Sequence, residues 1–421
     1  MDISTPNSLK ENRIVLLLLF LLYITILPRD YMIYDFDFWT NWAIYIHQHG
    51  ITDVYNNDFM VDYHPIYLYL IWIYDKIQGN EFSIVQNINY LKLIPLFFDF
   101  LPIFILCGFR QKIVPYRIPF LFLLLNIAYM YTTLIWGQVD SVYCNLVFLA
   151  LIVGFYKPVW SAALFALALG TKLQAIIYLP VLVIVWVYAV QNIKQAILLL
   201  ATMCSTILLI ALPFILAGNG SQLLAVVTSA VGRYPHVSVS GFNIWYLIYS
   251  GNPNHTVDTD TYFLLSFKNW GLLLFFIFSG ITLLTVLFKA IRMRLEATDK
   301  DELVKLLLLA GGLVTLYFYY FNTQMHERYA HAMIILFFFY GVYTKKYRLY
   351  ILCSIPYFLS LEKSFPEYLD IEHYKFLFAS KVIALWYTLT IGYAMYEFFK
   401  LYRPKREYLL LKEAWQKTKT P

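Results

Sequence analysis

The sequence predicts an all-α membrane protein, a transmembrane bundle of about twelve helices, and three observations support this fold class. Hydrophobic residues make up 60% of the 421 residues and charged residues only 14%, whereas soluble domains are about half apolar and about a quarter charged. Apolar runs follow one another along most of the chain. Aromatic residues, 19% of the sequence, often stand at the ends of these runs, as in the interfacial belts of membrane proteins.

The apolar runs have lengths suited to crossing a bilayer, which takes about 20 helical residues. Several runs are shorter, so the number of crossings could differ by one or two. The first run is followed by Leu27-Pro28-Arg29-Asp30, a poor cleavage site, and it is predicted to be a retained spanning helix rather than a signal peptide. The runs lie near 14–27, 89–108, 118–135, 139–155, 158–170, 174–190, 195–217, 262–288, 305–321, 329–343, 348–361 and 376–399.

The distribution of charge predicts the orientation of the chain. If the N-terminus is cytoplasmic and every run crosses once, roughly two thirds of the 32 Lys and Arg residues fall on the cytoplasmic side, as the positive-inside rule requires. Both termini are then cytoplasmic, including a basic tail at 401–421. Residues 1–400 are predicted to form one transmembrane module with two large outer loops, 28–88 and 218–261.

The first outer loop contains two amphipathic stretches, 33–50 and 63–74. The stretch 63–74 is too short and too polar at its ends to span a bilayer, so we expect it to form, with 33–50, a pair of amphipathic helices at the membrane interface. Membrane lipid is therefore an expected partner. The net charge of +6 is explained by orientation signals, and no nucleic-acid partner is expected.

The cysteines suggest neither a disulfide framework nor a metal site. Each falls within an apolar run, and their spacing does not match that of metal ligands, so we expect small buried residues. The sequence predicts no cofactor. The four cysteines are Cys107, Cys144, Cys204 and Cys353.

Polar side chains gather at the predicted outer ends of the runs. Removing such groups from water is costly, so their presence there suggests a functional role. With the orientation above, acids, bases and aromatic residues from six separate stretches should converge on one outward-facing cavity. One further acid, Asp99, lies inside an apolar run and should pair with another helix. The converging residues are Asp35, Asp37, Asp62, Tyr63, His64, Trp136, Gln138, Asp140, Lys172, Gln174, Arg233, Tyr234, His236, Asn243, His326, Glu327, Arg328 and Tyr329.

Asp35 and Asp37 follow the first run and are the candidate catalytic residues. A carboxylate within hydrogen-bond reach of a hydroxyl can remove its proton as the oxygen attacks. The same residues could instead cap a helix or lie in a solvated loop. The Asp-x-Asp pattern is also a weak signal for a metal–nucleotide site, and the choice between the two carboxylates as base stays open.

Trp136, Gln138 and Asp140 form a turn between two runs. An aromatic ring beside amide and carboxylate acceptors is the usual way to hold a carbohydrate, although the string could also be an ordinary polar turn. His64 precedes Pro65 and could bind substrate or only break the backbone there.

Lys172 and Arg328 are candidate phosphate ligands. A guanidinium can bind phosphate through two parallel hydrogen bonds, which favours Arg328. The alternatives are a snorkelling lysine and a buried pair between Arg328 and Glu327. Gln174, Arg233, His236 and His326 are further candidate binding residues, although each histidine could equally be structural.

Taken in order, these stretches resemble the GT-C superfamily of multi-spanning glycosyltransferases, specifically the bacterial membrane proteins similar to the second GPI mannosyltransferase. The resemblance covers residues 14 to about 340. This chain has His64-Pro65 where the family usually has two prolines, and Leu173 where it often has proline. The stretches that carry it are Asp35, Trp39, Trp42 and Ala43; Gly50, Val54, Tyr55 and 63–70; 136–141; 171–174; and 326–329.

The resemblance implies a GT-C-like fold in a bacterial inner membrane and an inverting transfer of a hexose, mannose being the family's commonest sugar. The donor would be a polyprenyl-phosphate sugar, and the acceptor a hydroxyl on a lipid or glycan at the outer face. Asp35 would match the family's base. Lys172 and Arg328 would stabilise the charge that develops on the leaving phosphate, so that no metal is required.

Two other functions remain possible from the sequence. An O-antigen-type polymerase or ligase would need an outer loop rich in Arg and His, and 218–261 has only Arg233, His236 and His255. A lipid-sugar transporter or flippase would need charges deep in several helices and internal symmetry. Asp99, Lys172 and Lys381 are the only candidates for such charges, and no repeat is visible.

Overall fold

The chain is mostly helical, as a computed structural model shows. The residues described contain nineteen α-helices and three short 3-10 helices, so the predicted all-α fold is confirmed in its main feature. It is interrupted by one two-stranded antiparallel hairpin, with β1 at Thr261–Tyr262 and β2 at Leu265–Ser266. The structure describes residues 6–27, 33–57, 60–108, 118–229, 232–296 and 300–419.

The predicted first outer loop folds as helices, as its amphipathic pattern indicates. Two helices cover most of 33–50 and 63–74, and their position at the membrane interface remains a prediction. Pro65 begins the second of these helices, where the absent N–H would have no partner in any case. The elements are α1 (Pro6–Ile26), α2 (Ile33–His49), a 3-10 helix (Ile51–Asn56), α3 (Pro65–Gln78), α4 (Glu81–Gln86) and a 3-10 helix (Ile88–Lys92).

The central third of the chain consists mostly of shorter helices, together with one of 24 residues. The apolar run near 118–135 is two helices rather than one, because the Asn126 side chain accepts a hydrogen bond from the Ala128 N–H at 2.9 Å and starts a new helix. The elements are α5 (Leu93–Gly108), α6 (Phe120–Leu124), α7 (Ile127–Leu134), α8 (Asp140–Gly154), α9 (Pro158–Thr171), a 3-10 helix (Leu173–Tyr178), α10 (Leu179–Ala189), α11 (Ile193–Leu216) and α12 (Gly220–Ser229).

The C-terminal third contains the longest helix, of 30 residues. Most of the basic tail at 401–421 is helical. Its Glu407 is buried against Lys289 and Arg292 of a preceding long helix. The elements are α13 (Trp245–Ile248), α14 (Phe267–Glu296), α15 (Asp301–Phe321), α16 (Ala332–Thr344), α17 (Arg348–Ser364), α18 (Ser380–Tyr402) and α19 (Pro404–Lys419).

Five helical stretches in the described part of the chain are long and apolar enough to cross a membrane. Each of the twelve predicted runs overlaps a helix, but several of these helices have fewer than 18 residues, so the number of crossings remains a prediction. The five stretches are Ile88–Leu106, Ile193–Leu216, Phe267–Glu296, Asp301–Phe321 and Ser380–Leu410.

Burial separates central helices from peripheral ones. Side chains of α8, α15 and α16 are almost all buried, and the rings of Phe148 and Phe339 meet between α8 and α16 with centroids 4.4 Å apart. By contrast, α11 and α14 expose many large apolar side chains. These two helices therefore have the surface composition expected of contact with lipid.

The polar helix ends meet at one end of the bundle, which we call the site end. It contains the start of α2, the turn between α7 and α8, the residue after α9 and the segment between α15 and α16. The end of α17 is there as well, because the rings of Trp136 and Phe365 lie 4.1 Å apart.

Candidate functional site

Asp35 is held by the turn between α7 and α8. Its Oδ2 accepts hydrogen bonds from the Trp136 indole N–H at 2.9 Å and from the Gln138 amide at 2.5 Å. Asp35 lies in the first turn of α2, where the helix dipole favours a negative charge. Two hydrogen bonds from residues about a hundred positions away therefore fix the orientation of this carboxylate. A carboxylate in a solvated loop would not be held in this way.

The turn has its shape because of Gly137. Its φ of +66° lies in the left-handed region, and a Cβ there would come within 2.8 Å of the Phe36 ring. Only glycine meets both conditions without strain. The backbone can therefore pass closely over α2 and bring Trp136 and Gln138 onto Asp35.

Asp140 is the centre of a buried ion cluster. Its fully buried carboxylate lies 3.0 and 3.2 Å from Lys172 Nζ, and 3.4 Å from Arg328 Nε. Arg328 also donates a hydrogen bond to Glu327 at 3.1 Å. Arg328 therefore forms the buried pair with Glu327 that the sequence suggests, and it also lines a cavity, as a phosphate ligand would.

Aromatic rings enclose the two cations. The Arg328 guanidinium carbon lies 5.0 Å from the centre of the Trp136 ring, and Lys172 Nζ lies 4.8 Å from that of Tyr329. Both distances are within the range of cation–π attraction. The rings hold the cations in place without neutralising their charge.

Burial shifts the protonation of the neighbouring groups. It raises the pKa of Glu327 to about 7, against the opposing effect of Arg328. It lowers the pKa of His326 well below its ordinary value, and the charges of Arg328 and Lys172 act in the same direction. His326 is therefore neutral near pH 7, when it can accept a hydrogen bond through one nitrogen and donate through the other.

A cavity of about 300 Å³ opens beside this cluster. Four cations and one carboxylate, Asp62, are among its described lining residues, whereas Asp140 and Glu327 support the cations from outside that lining. With Asp140 and Glu327 counted as well, the four cations exceed the three nearby carboxylates by one, and this small excess of positive charge favours an anionic ligand. The main polar lining residues are Asp62, Tyr63, His64, Lys172, Gln174, Arg233, Lys268, His326 and Arg328.

One wall of the same cavity is apolar and reaches the surface of the bundle. It is formed by Ile176 and Ile177 of a 3-10 helix, by Leu272 of α14 and by Phe318 of α15. Ile176 and Leu272 are 42% and 39% exposed. Leu272 belongs to α14, one of the two helices whose exposed apolar side chains give a lipid-type surface, that is, a surface suited to contact with lipid. The cavity is therefore polar and cationic within, and apolar where it meets the outside.

Asp35 lies next to this cavity rather than among its lining residues. Gln138, which donates to Asp35, accepts a hydrogen bond from the Tyr63 hydroxyl at 3.3 Å, and Tyr63 lines the cavity. Asp37 lies two positions along α2, a rotation of about 200°, and its side chain is exposed. The structure thus separates the two carboxylates that the sequence left equivalent.

The loop between α12 and α14 contributes Arg233 and Tyr234 to the lining of the cavity. Arg233 forms an ion pair with Asp62 at 3.1 Å, while buried Asp258 accepts hydrogen bonds from Thr323 at 2.8 Å and Gln324 at 2.7 Å. Residues 239 and 240 form isolated β-bridges with His326. These contacts fasten the loop to the segment that carries Arg328.

The remaining candidates have structural contacts. His64 Nδ1 lies 2.8 Å from the Leu169 carbonyl oxygen. Asn243 donates to the carbonyls of Tyr319 and Asn322, at 3.4 and 3.1 Å, and therefore braces the end of α15. His236 forms a β-bridge with Val257 outside the cavity lining.

The structure adds to the sequence predictions at several positions and corrects one of them. Asp258, in the loop before α14, and Lys268, in the first turn of α14, were not singled out, since nothing local in the sequence marks either as lying near the cavity. The partners of Asp99 are the Thr133 hydroxyl at 2.5 Å and the Asn145 amide at 3.2 Å. The expectation of buried cysteines is wrong for Cys204, because it lies on lipid-type surface of α11; the Cys107 side chain lies outside the described residues.

Comparisons with protein-family models, with curated proteins and with solved structures find no match for this chain. In the described part of the sequence, no group of three His, Cys, Asp or Glu side chains is arranged to hold a metal ion. Function is therefore inferred from the residues of the site and from their geometry.

Proposed function

We propose that the protein is a GT-C-type membrane glycosyltransferase that moves a hexose from a polyprenyl-phosphate donor to an acceptor hydroxyl on the outer face of the membrane. The observation that carries this proposal is the cavity beside Asp35, with four cations inside and an apolar wall at the bundle surface. An anionic ligand attached to an apolar chain would match both parts of this cavity, and a lipid-linked sugar phosphate has both properties.

Lys172 and Arg328 bind the phosphate in this proposal. They come from different helix ends and share Asp140, which sets the spacing between them. Their positive charge stabilises the negative charge that builds up on the leaving lipid phosphate. Gln174, with a buried Oε1 that has no hydrogen-bond partner within the described chain, and neutral His326 offer polar contacts to the sugar or phosphate.

Asp35 is the general base. The acceptor hydroxyl oxygen attacks the anomeric carbon, the bond from that carbon to the phosphate oxygen breaks, and the hydroxyl proton passes to Asp35. The configuration at the anomeric carbon is inverted. Trp136 and Gln138 both bind Oδ2, so they orient the carboxylate and leave Oδ1 to take the proton.

The number of membrane crossings and the orientation of the chain are part of the same proposal. Residues 1–400 form one module with about twelve crossings in a bacterial inner membrane. Both termini are cytoplasmic, and the site end faces outward. The polar ends that meet in the structure are those which the charge distribution places outside, and this agreement supports the orientation. The sugar and the acceptor stay open.

The test is a transfer assay with purified protein in lipid nanodiscs. A panel of polyprenyl-phosphate hexoses is supplied with lipid and glycan acceptors, and mass spectrometry follows the released lipid phosphate and the product. We expect release with at least one sugar, loss of transfer in Asp35→Asn, and retention in Asp37→Asn. If transfer is unchanged in Asp35→Asn, the assigned base is wrong.

The same nanodiscs distinguish a transferase from a flippase. A flippase would move the intact donor between leaflets without releasing lipid phosphate. Donor that binds and changes leaflet but is never cleaved, with any sugar in the panel, would contradict the proposed function.

A further inference from the structure

Two short apolar tips project from the site end of the bundle. The first is the turn of the β1–β2 hairpin, where Phe263 and Leu264 are 81% and 89% exposed. The second precedes α18, where Phe376 is 77% exposed and Leu377 is 42% exposed. Exposed large apolar side chains that lie next to each other can mark a contact surface.

The hairpin tip is built on a rigid base. Tyr262 stacks on Phe267 with ring centroids 4.8 Å apart, its hydroxyl donates to the Ile248 carbonyl at 2.9 Å, and its own carbonyl accepts from the Trp270 indole at 2.8 Å. Phe263 itself has a φ of +58°. This left-handed conformation favours glycine, yet the sequence places a phenylalanine there and turns its ring outward.

The two tips stand at matching positions relative to helices that are long enough to span. Leu264 lies three residues before α14, and Leu377 lies three residues before α18. Three residues reach at most about 10 Å, which is comparable with the depth to which interfacial segments enter a bilayer, about 5–10 Å.

Both tips are at the same end of the molecule. The start of α18 is fixed to the end of α17 by a hydrogen bond from Lys363 to Ser380 at 2.7 Å. The short helix α13, which accepts the bond from Tyr262, packs against α18. The hairpin and the second tip are therefore parts of one surface that surrounds the starts of α14 and α18.

We propose that both tips insert into the lipid leaflet at the site end and act as interfacial anchors. Phe263 and Phe376 would enter the region between headgroups and acyl chains, where aromatic side chains are favoured. The hairpin leads directly into Lys268 and Leu272, which line the cavity. Its anchor would hold the lipid-facing edge of the cavity at headgroup depth, whatever ligand the cavity binds.

The proposal is tested by spin labels in the full-length protein, reconstituted singly in nanodiscs of phosphatidylethanolamine and phosphatidylglycerol. Cys204 is exposed, so it and Cys107 are first replaced by serine, while Cys144 and Cys353 are buried and stay. Labels are then placed with Phe263→Cys and Phe376→Cys. Collisions with oxygen, which enters lipid, are compared with those of a water-soluble nickel chelate.

Matched controls lie in the same two segments. Thr259→Cys and Glu372→Cys put labels on exposed polar positions beside each tip. We expect the ratio of oxygen to nickel accessibility to be several-fold higher at the tips than at these controls. Leu264→Cys and Leu377→Cys repeat the measurement if a first variant lacks the circular dichroism of the parent protein.

Two results would overturn the proposal. Ratios at the tips equal to those at the controls would show that both tips lie in water. Protection from both reagents would show that protein covers the tips, as in contact with a second copy of the chain. The outcome does not depend on glycosyl transfer, so it stands or fails separately from the proposed function.

Discussion

Lys172 and Asp140 form the central ion pair of the site, with Nζ 3.0 Å from Oδ1 and 3.2 Å from Oδ2. Asp140 begins α8 and Lys172 follows α9, so the pair joins two helix ends at the site end. Because Arg328 also approaches Asp140 at 3.4 Å, one carboxylate separates two cations that would otherwise repel each other.

Asp140→Asn should destabilise the protein and reduce donor binding. The substitution keeps the size of the side chain but leaves two enclosed cations without their shared countercharge, and breaking such a buried pair costs about 3–5 kcal/mol. We expect the midpoint of thermal unfolding in detergent to fall by several degrees. Asp260→Asn, at an exposed carboxylate, is the control and should shift the midpoint little; equal shifts in both variants would contradict a central role for Asp140.

Arg328→Ala should slow transfer by about 10² or more, the size of effect seen when a charge-stabilising donor is removed. Arg328→Lys should recover only part of the rate, because an ammonium cannot make two parallel hydrogen bonds to phosphate. Initial rates of lipid-phosphate release measure both variants. Arg348→Ala, exposed far from the cavity at the start of α17, should retain the parent rate. If Arg328→Ala does too, the guanidinium is not a phosphate ligand.

Glu327 should make stability depend on pH. Burial raises its pKa from 4.5 to about 7, so the folded protein binds this proton more tightly than the unfolded chain does. The stabilisation is complete below about pH 4.5 and is lost as pH rises to about 7. Unfolding midpoints of the parent and Glu327→Gln, measured from pH 5 to pH 8, should therefore diverge in favour of the glutamine variant. A constant difference across this range would show that the pKa is not raised.

Gly137→Ala should disturb the turn that holds Asp35. The new Cβ is subject to left-handed strain, of order 1–3 kcal/mol, and also to a 2.8 Å approach to Phe36. Gly218→Ala is a matched control, since Gly218 has a φ of +85° with nothing within 4 Å of the added carbon. Both variants should lose thermal stability, but only Gly137→Ala should also lose transfer activity. Similar activity in the two variants would mean that the close approach to Phe36 is unimportant.

The sequence predicts best what a local pattern determines. Apolar runs specify helices, and Trp136 to Asp140 is a turn between two of them, as its polar string predicts. The break at Asn126 was missed because a single capping amide does not change the hydropathy of the run near 118–135. The number of crossings stays a prediction because several helices are shorter than a bilayer is thick.

Long-range contacts could not be predicted in the same way. Nothing local distinguishes Asp35 from Asp37, and only the position of Trp136 and Gln138 over one face of α2 separates them. Asp258 lies near the cavity because its loop folds back onto the segment before α16. Lys268 lines the cavity because it lies in the first turn of α14. These relationships depend on how distant helices pack, which composition and spacing do not encode.

Glu407→Gln should release α19 from the bundle. The Glu407 carboxylate accepts hydrogen bonds from Lys289 at 2.9 Å and from Arg292 at 2.9 and 3.1 Å, so it joins the C-terminal helix to α14 through nearly buried charges. Without it, Lys289 retains Glu302 at 2.7 Å, whereas α19 loses its ionic contact. We expect trypsin to cut near Lys405 and Arg406 several-fold faster, as mass analysis of timed digests would show. Glu413→Gln, an exposed position on the same helix, should digest like the parent. Unchanged cleavage in Glu407→Gln would mean that apolar packing alone holds α19 in place.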